Sequence, residues 1–256
     1  MDINGQSAIV AGGASGLGEA SVRLLLQKGA KVAVLDRNAE RGTALAEELG
    51  VVFAEVDITC DDSVLAGLQA ARDANGPSRI LINTAAIGGL PIRTVGKDGP
   101  YPMDVFRKTI EINFIGAFNI TRLAAAEMVS LPALARGERG VLVNVASANA
   151  HDQPVGNIAY NASKAAVAGM TLSLARDLAP KGVRACTISP GNFETPMLME
   201  APPQLHDMLL QMTPFPNDRL GEPADFAAMA CHICENIMLN GETIRLDAAI
   251  RHSHTR

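Results

Sequence analysis

Short apolar runs alternate with amphipathic segments along most of the chain. SAIVAG and KVAVLD are examples of the apolar runs, which have the pattern of strands covered on both faces. Segments such as GEASVRLLLQKG, which follow them, place apolar residues at helical spacing. This alternation predicts an α/β fold with a doubly wound parallel sheet of about seven strands and helices on both faces.

Two segments interrupt this alternation. Residues 87–103 are rich in Gly and Pro, which predicts a long loop. Residues 196–223 carry four methionines between prolines, which predicts one or two short helices acting as a lid over an apolar substrate. No linker or repeat divides the chain, so a single domain over residues 1–256 is expected.

Composition narrows the classes of partner and compartment. The net charge of −5 comes without a basic block, which argues against a nucleic-acid partner. No apolar run reaches the roughly 18–20 residues that a membrane span needs, and no signal-peptide pattern opens the chain. Four cysteines are too few for a disulfide scaffold in a chain of 256 residues, so a cytoplasmic protein is expected. The CHIC stretch lacks a second ligand pair, so no metal site is predicted.

A glycine-rich turn follows the first predicted strand. In AGGASGLGEA, residues Gly12, Gly16 and Gly18 would let the backbone approach a pyrophosphate at the start of the next helix. Such a turn alone can also be an ordinary strand-to-helix connection, but its position between a strand and an amphipathic helix favours a Rossmann-type nucleotide site.

The second predicted strand ends in an acid. Asp36 lies about 20 residues beyond the turn, where a carboxylate accepts a hydrogen bond from an adenosine ribose. Its charge would repel a 2′-phosphate and therefore favours NAD over NADP. Arg37 is the open alternative, because a cation at the end of this strand could receive that phosphate.

One of the two tyrosines precedes a lysine by four residues. Tyr160 and Lys164 would share a helix face, either as a solvated surface pair or as a tuned acid–base group. Ser147 follows the apolar stretch VLVNVAS, at the end of a predicted strand, where open α/β sheets place ligand chemistry. A catalytic group is favoured because the glycine turn and Asp36 occur in the same chain.

The motifs together resemble the short-chain dehydrogenase/reductase family over essentially the whole chain. The glycine turn, Asp57, NTAA (83–86), NFIG (113–116), Ser147, YNASK (160–164) and SPG (189–191) follow in the family's order.

The resemblance implies a catalytic set of Asn113, Ser147, Tyr160 and Lys164. Tyr160 would be the base, Ser147 would hold the reacting oxygen, Lys164 would also bind the nicotinamide ribose, and Asn113 would hold a proton-relaying water. The NAD contacts that are implied or expected are Gly12, Ser15, Gly16, Leu17, Gly18, Asp36, Asp57, Ile58, Asn83, Thr84, Tyr160, Lys164, Phe193 and Thr195. Physically, the Lys164 ammonium and an oxidised nicotinamide would both lower the pKa of the Tyr160 phenol from about 10.

Three positions depart from the family's pattern. Ala11 opens the glycine motif where the family usually has Thr, and Ala86 replaces a glycine. The stretch LDAA (246–249) replaces the usual Asp-Gly-Gly. A methyl group at Ala86 would crowd the floor of the cofactor site if its φ were positive.

The second half is similar to one branch of the family, whose members oxidise 3-hydroxyacyl-CoA thioesters with NAD and form homotetramers. This implies a role in fatty acid metabolism, in the mitochondrial matrix if the source is eukaryotic. Arg93 and Lys97 in the 87–103 loop carry the charge that CoA phosphates would require. The stretch between Ser147 and Tyr160 should shape the substrate side, with His151 as a candidate substrate contact.

Two other functions stay open. An alcohol or hydroxysteroid dehydrogenase would use the same fold and catalytic set, because neither fixes the substrate. A non-catalytic subunit of a hetero-oligomeric dehydrogenase would account for the altered NTAA and LDAA segments.

Overall fold

The computed structural model of the protein describes residues 1–199, 203–216 and 219–251. Seven parallel strands form the main sheet, and two short antiparallel strands form a separate hairpin. The strands are β1 (Ser7–Ala11), β2 (Lys31–Asp36), β3 (Val52–Glu55), β4 (Ile80–Asn83), β5 (Val95–Gly96), β6 (Gly99–Pro100), β7 (Gly140–Val145), β8 (Val183–Pro190) and β9 (Thr243–Leu246).

The order of strands in the main sheet is β3-β2-β1-β4-β7-β8-β9. The chain therefore builds outward from β1 to β3, then returns to the other side of β1 and continues to β9. This is the predicted doubly wound sheet, and the prediction of about seven strands is confirmed. The reversal between β1 and β4 opens a crevice at the carboxyl ends of these strands, where such folds bind ligands.

Helices connect the strands and cover both faces of the sheet. In the described part they are α1 (Gly16–Gln27), α2 (Ala39–Leu49), α3 (Asp61–Asn75), α4 (Met103–Ile110), α5 (Ala117–Met128), α6 (Asn149–Asp152), α7 (Ile158–Leu178), α8 (Pro196–Met199), α9 (Pro203–Gln211) and α10 (Pro223–Glu235). Among the described residues, none of these helices is both long and apolar enough to cross a bilayer.

The two faces of the sheet have separate cores because side chains alternate along each strand. On β1, Ala8 and Val10 pack with α1, α2 and α10, whereas Ile9 and Ala11 pack with α3, α5 and α7. All four residues are fully or almost fully buried. Burial on both faces explains why the strands are apolar throughout rather than alternating with polar residues.

The segment between β6 and β7 differs from its prediction in one respect. The sequence predicts one continuous helix around residues 104–130, but the structure inserts a π-helix, Glu111–Gly116, between α4 and α5. Single π-turns inside longer helices are frequent at functional sites, and this one carries Asn113.

The two interrupting segments also contain regular structure. The 87–103 loop includes the β5–β6 hairpin, and a backbone bridge from Ile92 to Asn157 ties it to the start of α7. The predicted lid at 196–223 includes α8 and α9. Its residues 200–202 and 217–218 lie outside the described residues.

A buried arginine holds the end of α10 against the sheet. The Arg184 guanidinium donates to the backbone carbonyls of Ile233, Cys234 and Leu239, at distances from 2.7 to 2.9 Å. It also pairs with Glu138, whose Oε1 accepts from Nε at 2.8 Å. Both side chains are almost completely buried, and the Glu138 Oε2 also pairs with the N-terminal ammonium of Met1 at 2.9 Å, so this is a buried ion-pair network.

We therefore expect Arg184→Leu to lower the free energy of unfolding by about 3–5 kcal/mol, because it leaves the Glu138 carboxylate buried without this partner and frees the helix carbonyls. Urea denaturation at fixed protein concentration measures this loss. Arg136→Leu, which removes an exposed arginine, is the matched control and should change the value by less than about 0.5 kcal/mol. A loss below about 1 kcal/mol for Arg184→Leu would contradict the stabilising role of this contact.

Candidate active site

A cleft of about 560 Å³ opens at the carboxyl ends of the strands. It crosses the reversal point between β1 and β4 and reaches α8 and α9 of the predicted lid. Fourteen of the predicted catalytic and cofactor-binding residues line the cleft: Gly12, Ser15, Gly16, Leu17, Gly18, Asp36, Asp57, Ile58, Thr84, Ser147, Tyr160, Lys164, Phe193 and Thr195.

The glycine turn at one end of the cleft has no room for side chains. Gly12 has a φ of +71°, and a Cβ atom there would lie 2.6 Å from the backbone nitrogen of Ala85. A Cβ atom at Gly18 would lie 2.1 Å from the carbonyl oxygen of Gly12. The turn packs closely against Thr84 and Ala85, which follow β4, and its glycines and the start of α1 line the cleft, which suits a pyrophosphate.

Asp36 is fixed at the end of β2 by two backbone amides. Its Oδ2 accepts from the Ala14 N–H at 3.0 Å, and its Oδ1 accepts from the Asn38 N–H at 2.9 Å. The carboxylate thus stands beside the glycine turn with acceptor capacity left over for ribose hydroxyls. Arg37, the alternative cation, also lines the cleft.

The other end of the cleft holds the predicted acid–base group. Tyr160 and Lys164 lie on the first turns of α7, and Ser147 follows β7. The Ser147 hydroxyl hydrogen-bonds the Tyr160 phenol. Lys164 is almost completely buried, and its Nζ donates to the Val145 carbonyl at 2.9 Å and lies 5.8 Å from the centre of the Tyr160 ring.

Burial controls the protonation of this group. Loss of solvent raises the pKa of Tyr160 above its ordinary value of 10, and the hydrogen bond from Ser147 opposes that shift only in part. Burial also lowers the pKa of Lys164 to about 8. Loss of water is the larger effect, so the net shift in the protein without cofactor is upward. The expected lowering of the Tyr160 pKa by Lys164 and an oxidised nicotinamide remains a prediction.

Asn113 lies behind the cleft wall rather than in it. Its Oδ1 accepts from the Ile87 N–H at 2.8 Å, and its Nδ2 donates to the Ile87 carbonyl at 3.0 Å. Ile87 itself lines the cleft. The side chain of Asn113 thus braces the cleft wall at Ile87, and its role in holding a water remains a prediction.

Two further candidates lie outside the cleft lining. Asn83 is buried beneath the floor, where its Nδ2 donates to the Asn144 Oδ1 at 3.2 Å. The His151 ring points to β8, and its Nε2 lies 3.1 Å from the Ser189 Oγ. Neither residue is among those that line the cleft, and their expected contacts with cofactor and substrate remain predictions.

The departures from the family's pattern have different structural consequences. In the described part of the chain, Ala86 is not among the residues with positive φ, so its methyl group causes no backbone strain. Ala248 and Ala249 have φ values of +50° and +61°, in the left-handed region that glycine adopts more readily. The LDAA segment is therefore strained, but it lies outside the cleft lining.

Several cleft residues were not selected from the sequence. They are mostly apolar, such as Ile112, Leu198 and Leu209, and resemble core residues in any pattern analysis. Gly191 and Asn192 could have been found, since Gly191 is the last residue of the SPG motif and Asn192 directly follows it, just after β8. Such apolar residues give the cleft surface that can bury the apolar part of a ligand.

Comparisons with known proteins agree with this geometry. Residues 6–206 match the family model described as short chain dehydrogenase. A 3-hydroxyacyl-CoA dehydrogenase type-2 from Drosophila melanogaster is 44% identical over 247 residues, which cover 95% of this chain and 96% of the relative.

Solved structures lead to the same family. The crystal structure of 3-hydroxyacyl-CoA dehydrogenase type-2 from Mycobacterium avium superposes with a TM-score of 0.92 at 41% identity, over 98% of both chains. A 3-ketoacyl-(acyl-carrier-protein) reductase from Brucella melitensis, complexed with NADH, gives a TM-score of 0.84 at 27% identity. The superposition covers 98% of the reductase chain and 96% of this chain. The chain is therefore an enzyme that belongs to the short-chain dehydrogenase family of oxidoreductases.

Proposed function

We propose that the enzyme interconverts a 3-hydroxyacyl-CoA and its 3-oxoacyl-CoA, with NAD as the hydride carrier and Tyr160 as the base. One observation carries this proposal. The hydrogen-bonded pair of Ser147 and Tyr160, with the buried Lys164 beside it, lies in one cleft with Asp36 and the glycine turn. The names of relatives at 41–44% identity support the thioester as substrate.

The residues present suit a dinucleotide. The glycine turn would hold the pyrophosphate, Asp36 the adenosine ribose and Lys164 the nicotinamide ribose. The Asp36 carboxylate favours NAD, whose ribose offers hydroxyl donors, over NADP. When bound, the oxidised nicotinamide supplies a hydride acceptor and a positive charge beside the phenol.

The proton transfer would be carried out by side chains of the protein. Ser147 would donate to the substrate oxygen and hold it beside the Tyr160 Oη. The deprotonated Tyr160 would accept the hydroxyl proton as the C–H bond of the same carbon gives up its hydride, leaving a ketone. Because burial raises the pKa of Tyr160, the phenolate needs positive charge nearby, from Lys164 and from the cofactor.

The surroundings of the cleft suit an acyl-CoA. Leu198 and Leu209 of the lid helices line the cleft and provide apolar contact for an acyl chain. Arg93 and Lys97 are exposed on the β5–β6 hairpin segment, where cations can meet CoA phosphates. The same apolar lining would accept a hydroxysteroid or another secondary alcohol, which is the second candidate substrate class.

The quaternary structure and location are further proposals from the resemblance. A homotetramer is consistent with the exposed apolar side chains of Ile115 and Phe118, which lie next to each other along the helix. We propose that the protein is located in the cytoplasm, or in the mitochondrial matrix if the source is eukaryotic.

The test of this function is NADH formation from NAD with a panel of 3-hydroxyacyl-CoA thioesters, free secondary alcohols and hydroxysteroids. We expect turnover of the thioesters, and we expect Tyr160→Phe to lower kcat by at least about 1,000-fold while NAD still binds, because the base is lost and the cofactor contacts remain. Tyr101→Phe is the matched control, since it changes the other tyrosine, which does not line the cleft.

The results of this panel decide between the two substrate classes and test the assignment of the base. Turnover confined to free alcohols or steroids would contradict the thioester and support the second substrate class. Equal turnover by wild type and Tyr160→Phe would contradict the assignment of the base.

The choice of cofactor is tested at Asp36. We expect Asp36→Ser to lower kcat/KM for NAD by at least about tenfold and to raise it for NADP, because a ribose acceptor is lost and repulsion of the 2′-phosphate is relieved beside Arg37. Glu55→Ser, which changes an exposed acid on the neighbouring strand outside the cleft, should leave both values unchanged. An unaltered preference for NAD in Asp36→Ser would contradict this assignment.

A further inference from the structure

Ser163 is a buried hydroxyl between Tyr160 and Lys164 on α7, and none of the roles assigned above uses it. Its side chain is fully buried. The Oγ donates to the Tyr160 carbonyl at 2.7 Å and accepts from the Asn113 Nδ2 at 3.2 Å. A single hydroxyl therefore joins the helical turn that carries the proposed base to the π-helix.

The connection continues to the wall of the cleft. One Nδ2 hydrogen of Asn113 goes to Ser163 and the other to the Ile87 carbonyl, while Oδ1 accepts from the Ile87 N–H. Ile87 lines the cleft, and Asn113 is 1% exposed. The result is a continuous chain of hydrogen bonds from the Tyr160 backbone through Ser163 and Asn113 to Ile87.

We infer that Ser163 is a positioning residue, which sets the distance between Tyr160 and the part of the cleft wall at Ile87 by fixing the Asn113 amide. This inference rests on the proposed function insofar as the distance matters for turnover. Ser163 does not line the cleft, so it would act through its two hydrogen-bond partners, the Tyr160 backbone and the Asn113 amide.

The physical reason is that both amide hydrogens and the oxygen of the Asn113 side chain have hydrogen-bond partners. Without the Ser163 hydroxyl, one amide hydrogen would be buried without an acceptor, which is unfavourable. The amide can escape only by rotating away from Ile87 or by rearranging the π-helix. Either change moves the wall relative to Tyr160, and displacements of about 1 Å in such sites can cost up to about 100-fold in rate.

The first experiment compares Ser163→Ala with Thr171→Val. Thr171 lies further along the same helix, is also buried, and its hydroxyl donates to the Val167 carbonyl and hydrogen-bonds the Thr187 hydroxyl at 2.6 Å. We expect Ser163→Ala to lower kcat about tenfold with the Kd for NAD within about twofold of wild type. Thr171→Val should leave kcat within about twofold, even where it lowers Tm.

A second readout does not depend on turnover. Hydrogen exchange of the Ile87 amide, which donates to Asn113, should become at least about tenfold faster in Ser163→Ala and stay unchanged in Thr171→Val. Should no substrate turn over, the proposed function fails and Ile87 exchange still decides the positioning role. If Ser163→Ala does not fold, Ser163→Cys, which keeps a weaker acceptor, replaces it in both measurements with smaller expected changes.

A double-mutant cycle with Asn113→Ala completes the test. If Ser163 acts through Asn113, Ser163→Ala should reduce kcat little further once Asn113 is already alanine. Additive losses in kcat, or an unchanged rate of Ile87 exchange in Ser163→Ala, would overturn the inference.

Discussion

The register of the parallel strands is the constraint on which the site depends. Ala11 of β1 pairs with Asn83 of β4, and Asn83 pairs with Asn144 of β7, so these strands end at one level. The glycine turn after β1, Thr84 after β4 and Ser147 after β7 are thereby brought to one edge of the sheet. Burial on both faces fixes that register, because a shift by one residue would exchange the side chains between the two cores.

Dehydration is the second physical determinant of the site. Packing buries Lys164 almost completely and leaves Tyr160 half-buried at the cleft, and this loss of water raises the pKa of the phenol and lowers that of the ammonium to about 8. In the protein by itself this favours a neutral tyrosine at neutral pH. A base with this environment becomes effective once a cationic group binds beside it, which couples its proton transfer to cofactor occupancy.

The parts of this site that carry chemistry could be predicted from the sequence, and the parts that hold them in place could not. Glycines, an acid after a strand and a Tyr–Lys pair at helical spacing need particular residue types, so their positions are visible in the sequence. The π-helix is invisible to periodicity, because its residues also fit a regular helix. Apolar lining residues such as Ile112 and Leu209 have the same sequence pattern as residues of the hydrophobic core. The bracing role of Asn113 and the position of His151 depend on hydrogen bonds between distant elements, which no local pattern specifies.

The most direct measurement is a titration of Tyr160 by the ultraviolet absorbance of tyrosinate, with and without NAD. The chain has two tyrosines and no tryptophan, so the difference between wild type and Tyr160→Phe isolates this one group. Without NAD we predict a pKa above 10, because burial disfavours the phenolate, and with oxidised NAD a clearly lower value. A Tyr160 pKa that NAD leaves unchanged, or one well below 10 before NAD is added, would contradict a base made effective by its cofactor.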